Sequence, residues 1–61
     1  MSVLKKLREE KGFSQQKLAD MCGVVRQTIT MIEAGVNKPS VSLAKKLGES
    51  LEVDWKVFFM D

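Results

Sequence analysis

Along most of this chain the apolar side chains recur at intervals of three and four residues, the signature of amphipathic helices. Val3, Leu4 and Leu7 share one face of a first segment, while Lys5, Lys6, Glu9 and Glu10 fall largely on the others. Gly12 follows as a C-terminal stop. Phe13 then precedes Ser14, a residue type that caps helix starts, and is placed to act as an apolar staple. The reciprocal glutamate of a capping box is missing, because Lys17 stands at the third position. A second helix runs from Gln15 to about Cys22, turning Leu18, Ala19 and Cys22 inward, and Gly23 ends it. Val24 plugs the corner before a third helix from about Arg26 to Ala34. Ile29 and Ile32 face its core there, and Gln27, Thr28 and Met31 share a different face. After Gly35 and the loop Val36-Asn37-Lys38-Pro39, Ser40 is a second cap candidate. Val41, Leu43, Ala44, Leu47, Gly48 and Leu51 form the stripe of a fourth helix. Asp54 caps a short fifth helix carrying Trp55, Phe58 and Phe59.

The pattern predicts an all-α fold of five helices near residues 2–11, 15–22, 26–34, 41–51 and 55–60, forming one domain over residues 1–61. Leu4, Leu7, Leu18, Ala19, Val24, Ile29, Ile32, Leu43, Ala44, Leu47 and Leu51 are its expected core. Gly48 interrupts the fourth helix, at a propensity cost of about 1 kcal/mol against alanine. Two readings fit it: a neighbouring segment passes too close for a methyl group, or the position is a functional hinge.

Composition narrows the chemistry. The chain has 61 residues, 44% of them hydrophobic and 30% charged. That is a globular composition at a size where only about 60% of the unfolded surface is hidden. One cysteine and no histidine exclude an internal disulfide framework, the usual zinc ligand sets and the commonest general base. No enzyme and no cofactor is expected, since Cys22 has no histidine to activate it. The longest apolar runs, Met21 to Val25 and Val57 to Met60, fall far short of the ~20 residues that cross a bilayer. The N-terminus lacks the apolar stretch of a signal peptide, so a cytoplasmic protein is expected. Residues 1–38 carry seven Lys/Arg against four Asp/Glu, and residues 39–61 carry three against four. The basic lean at the front is modest, and it fits a nucleic-acid face without requiring one.

The informative block runs from Ser14 to Glu33: a short capped helix, a glycine turn, and a helix whose outer face is polar and nearly uncharged. A tight turn between short helices lets the second protrude. Such a helix fits the major groove of DNA, where glutamine pairs with adenine and arginine with guanine. A face meant for a protein would show more apolar area, and a merely solvated one more Lys and Glu.

With Leu4-Lys-Lys-Leu-Arg-Glu-Glu-Lys-Gly-Phe-Ser-Gln before this block and Asn37-Lys-Pro-Ser-Val-Ser-Leu-Ala after it, the chain resembles the Cro and C1 repressor family of helix-turn-helix regulators. The resemblance covers about Val3 to Phe59. It implies a five-helix domain that binds a pseudo-palindromic operator in double-stranded DNA as a two-fold homodimer. On the family pattern Gln15 clamps a phosphate, while Arg26, Gln27 and Met31 reach base edges. Thr28 and Thr30 fall where phosphate or base contacts are made, and Asn37 and Lys38 lie in a loop that touches the backbone. Arg8 and Glu33 match a partly buried pair that joins the first helix to the third. Three positions depart from the pattern: Val25 replaces the Ser or Thr cap of the recognition helix, Ala34 replaces a turn asparagine, and Cys22 replaces a core leucine with a smaller side chain.

The resulting expectation is a dimeric transcriptional repressor acting by promoter occlusion, with no membrane and no small-molecule ligand. The rival reading is an interaction module, such as an antitoxin or antirepressor, that keeps the fold but uses its surface against a protein. With the sequence ending at Asp61, the apolar load of Trp55, Val57, Phe58, Phe59 and Met60 exceeds what one small core can take. Trp55 and Val57 are expected to face outward into a dimer interface, with Met60 at its rim. The alternative is that Trp55 folds back over the fourth helix.

Overall fold

The computed structural model describes residues 2–60. Four α-helices follow one another, α1 (Val3–Glu10), α2 (Gln15–Cys22), α3 (Arg26–Glu33) and α4 (Val41–Leu51), and a 3-10 helix spans Trp55–Phe59. Among the described residues there is no strand, and no helix is long and apolar enough to cross a membrane.

Serine and aspartate side chains start four of the five elements. The Ser14 hydroxyl accepts from the Lys17 amide at 2.9 Å, Ser40 from Leu43 at 3.1 Å, and Asp54 from Lys56 at 2.9 Å. Ser2 does the same for α1, accepting from Lys5. The exception is α3, whose N-cap Val25 has no side-chain hydrogen bond to offer. At the other end of α2, Gly23 takes the left-handed conformation (φ 69°), which a side chain would resist. Its amide and that of Val24 close back onto Asp20 and Ala19, so the chain reverses within three residues into α3.

The fifth element departs from the expected α-helix. Its bonds run from Val57 to Asp54 and from Met60 to Val57, three residues apart. Five residues entered from the left-handed Glu52 (φ 59°) are too few for an α-helical ladder, and short pieces of this kind tighten to 3-10 geometry.

The core gathers Leu4, Leu18, Ala19, Cys22, Ile29, Ala44, Leu47, Leu51 and Phe58. Leu7, Val24, Ile32 and Leu43, expected with them, form a half-buried ring around that centre. The Cys22 thiol lies inside, 3.8 Å from the Ser50 hydroxyl, and burial raises its pKa. Helix α2 packs on both α3 and α4, while α1 bridges α3 and the 3-10 helix.

Gly48 resolves in favour of close packing. A methyl group there would sit 2.7 Å from the Val53 carbonyl oxygen and 3.0 Å from the Trp55 amide nitrogen. Both are backbone atoms that cannot rotate away, so the glycine lets the C-terminal segment lie directly on α4. Trp55 accordingly folds back: Lys45 Nζ stands 5.5 Å from its ring centroid, and Phe59 meets it edge-on at 6.0 Å. Trp55 and Val57 are half-buried against the core instead of facing outward. The apolar side chains exposed at this end are Phe59 and Met60, at 38% and 81%.

Candidate nucleic-acid interface

Helix α3 turns Ile29 fully inward and leaves Arg26, Gln27 and Thr30 exposed, with Thr28 and Met31 half-buried at the edges of that face. The period of 3.6 residues accounts for this division: one apolar position per turn anchors the helix and the intervening positions look out. Arg26 and Gln27 stand at the start of the helix, immediately after the Gly23 turn. Their side chains have no hydrogen-bond or ion-pair partner among the described residues. An exposed arginine beside an exposed amide, neither engaged internally, presents donors and an acceptor to whatever the helix meets.

Met31 and Asn37 come together. The Met31 carbonyl accepts from the Val36 and Asn37 amides, and Asn37 Nδ2 lies 3.8 Å from the Met31 sulfur. The loop after α3 is thereby folded against the end of its outer face, which sets exposed Asn37 and Lys38 beside it. Buried Pro39 closes the loop onto the domain.

Behind this face a chain of polar groups ties three elements together. Arg8 Nε donates to Glu33 Oε2 at 2.7 Å and Nη2 to Oε1 at 3.2 Å, while Nη1 donates to the Phe13 carbonyl at 2.7 Å. The two side chains are only 10% and 5% exposed. The hydrogen bond to Glu33 raises the Arg8 pKa above its ordinary value, against the opposing effect of burial. The chain then continues to Gln15, whose Nε2 donates to Glu33 Oε1 at 3.0 Å and whose Oε1 accepts from the Thr30 hydroxyl at 2.9 Å. That hydroxyl also lies 3.2 Å from the Arg26 carbonyl. The Arg8–Glu33 pair suggested by resemblance is therefore present. Its extension through Gln15 to Thr30 has no counterpart in the sequence pattern, since the partners lie 15 and 18 positions apart.

Two surface depressions mark the described residues. One runs along α1 past Lys5, Lys6, Glu9 and Glu10. Another lies under the Asn37–Pro39 loop over Leu4, Ile32 and Phe58.

Two short helices joined by a glycine turn, the second presenting a polar face that begins with the internally unpaired Arg26 and Gln27, define a helix-turn-helix domain. The family profile described as helix-turn-helix matches residues 4–58, and the chain belongs to that family. The uncharacterized HTH-type transcriptional regulator YqaF of Bacillus subtilis is 52% identical over 58 residues, covering 95% of this chain and 76% of that protein. YgzD, an uncharacterized HTH-type transcriptional regulator of the same organism, is 39% identical over 59 residues, covering 95% and 89%. The SPbeta prophage-derived regulator YonR, also from B. subtilis, is 42% identical over 50 residues, covering 82% of this chain and 46% of its own.

Proposed function

We propose that this domain is a cytoplasmic, sequence-specific DNA-binding transcriptional regulator that represses by occupying an operator within a promoter. The observation that carries this reading is the pair of exposed, internally unpartnered side chains of Arg26 and Gln27 at the start of α3. Arginine reads guanine and glutamine reads adenine bidentately in the major groove. Met31 adds an apolar contact suited to a thymine methyl, and Thr28 borders the same surface. Gln15, at the start of α2, reaches a phosphate, and Asn37 and Lys38 contact the backbone on the far side of the helix.

The dimer belongs to the same proposal. Phe59 and Met60 supply its apolar contact, with the outer edges of Trp55 and Val57 beside them. Two-fold pairing through this end would let two recognition helices meet half-sites about 34 Å apart on a pseudo-palindrome. The exposed Phe59–Met60 edge is also the one observation that favours the rival reading of a module docked on another protein.

Selection of bound duplexes from a random pool tests the proposal. Enrichment of a pseudo-palindrome supports the dimeric regulator, and recovery of no preferred sequence transfers support to the protein-docking reading. Gln27→Ala should then flatten discrimination at one base pair by about 1–3 kcal/mol. Equal losses on specific and scrambled duplexes would remove Gln27 from base reading.

A further inference from the structure

We propose that Thr30 serves DNA binding as a positioning residue, pinning the Gln15 amide in the orientation that Glu33 selects, with its nitrogen available to a phosphate. The proposal rests on the DNA-binding reading above.

A glutamine amide is nearly symmetric in shape and opposite in polarity at its two ends. Turned one way it offers N–H to a phosphate oxygen, and turned the other way it opposes that oxygen with its own. One neighbour chooses between these orientations and a second holds the amide in place. The Glu33 carboxylate can only accept, and it takes one Nε2 proton at 3.0 Å. The Thr30 hydroxyl approaches the other end and donates to Oε1 at 2.9 Å. A flipped amide would set its oxygen against the carboxylate, whereas the Thr30 hydroxyl, which can accept as well as donate, bonds either end and pins the amide in place without choosing between its ends. In the observed orientation the second Nε2 proton is left over by both bonds, on a half-buried side chain at the first position of α2.

Glu33 is itself held in place. Arg8 holds both of its oxygens, and the Phe13 carbonyl holds Arg8. Thr30 is the exposed end of this chain, and with Glu33 it ties α3 to the start of α2. Its single proton can serve either Gln15 or the Arg26 carbonyl, which lies farther off at 3.2 Å. The hydroxyl is occupied inside the protein, which is why positioning rather than direct contact is its role.

The test is a double-mutant cycle on a mixed-sequence duplex, because a phosphate contact is blind to sequence. Wild type, Thr30→Val, Thr30→Ser, Gln15→Ala and the double variant Thr30→Val/Gln15→Ala are titrated at several salt concentrations. Thr30→Val should weaken binding about fivefold, the scale of leaving one long side chain unordered before association. It should have no further effect once Gln15 is alanine, and Thr30→Ser should restore wild-type affinity. The salt slope should not change, since no charge is removed. In the free protein the Gln15 side-chain amide resonances should shift in Thr30→Val and return in Thr30→Ser. A Thr30→Val loss that persists at full size in the Gln15→Ala background would overturn the positioning role alone. Unmoved Gln15 amide resonances would overturn it as well. A wild-type protein that binds no duplex would overturn the DNA-binding reading itself.

Discussion

Among the described residues two ion pairs clasp distant parts of the chain, and they differ in almost every respect except charge. Arg8 and Glu33 join α1 to α3 through two hydrogen bonds, with side chains 10% and 5% exposed. Lys11 and Glu52 join the end of α1 to the end of α4 through a single contact, with side chains 37% and 75% exposed. The first pair has further partners in Phe13 and Gln15, while the second has no other side-chain hydrogen bond among the described residues. Burial converts the same pairing of charges from a surface convenience into a structural requirement. A buried pair adds little over an apolar replacement, but half of one is an uncompensated charge in a poor solvent.

The sharpest way to break this contrast is to remove one partner of the buried pair. Arg8→Ala or Glu33→Ala should cost about 3–5 kcal/mol. That is comparable to the whole stability of a domain this small, so circular dichroism should show a largely unfolded chain at room temperature. Replacing both partners by apolar residues, as in Arg8→Met/Glu33→Leu, should recover most of the loss. A double variant no more stable than the singles would mean that the pair contributes net stability.

Gly48→Ala gives the apolar counterpart, a buried change with no charge involved. Helix propensity favours alanine by about 1 kcal/mol. The backbone of Val53 and Trp55 leaves no room for the methyl, however, and overpacking should destabilise by about 1–3 kcal/mol in urea titration. A cost above that of Arg8→Ala would displace buried charge from the top of the ranking.

Val25→Ser supplies a smaller increment of opposite sign. It gives α3 the side-chain cap it lacks and should stabilise by about 0.5–2 kcal/mol, read as a rise in melting temperature.

The exposed pair should respond least. Lys11→Ala should barely move the melting temperature at moderate salt. Its trace is visible in pH: the hydrogen bond from Lys11 holds the Glu52 carboxyl below its ordinary 4.5. A depressed carboxylate contributes above its unfolded pKa and loses that contribution as pH falls through the folded value. Wild type and Lys11→Ala should therefore converge in melting curves as pH falls from 4.5 through the lower folded value of Glu52. The raised pKa of Arg8 keeps its guanidinium charged throughout this range. A wild-type advantage that grew on acidification would contradict the sign.

How far each of these features was legible depends on how local its cause is. The caps at Ser14, Ser40 and Asp54, the stop at Gly23 and the four α-helices follow from side-chain types within one turn of the position they control. The missing cap of α3 was equally plain from Val25. The outer face of α3 was readable too, because a helix that buries Ile29 must turn Arg26 and Gln27 away from it. The Arg8–Glu33 pair was available only through resemblance, since nothing in the spacing of two residues 25 apart makes them meet.

Trp55 shows where local reading stops. Its apolar neighbours outnumber the positions one small core offers, so an outward-facing tryptophan was a reasonable expectation. The docking of residues 53–55 on the bare backbone of Gly48 reverses it, leaving Phe59 and Met60 exposed. The same holds for the last turn, where five residues between Asp54 and Met60 adopt 3-10 geometry. Gln15 and Thr30 are ordinary surface residues in their own helices, and each acquires its partner only when α2 and α3 pack.

Hydrophobic period, capping chemistry and turn residues act over a few positions, so the chain specified its helices and their inward faces directly. Which polar atoms meet across helices, and which apolar side chains are covered, depend on distances that exist only after those faces have packed.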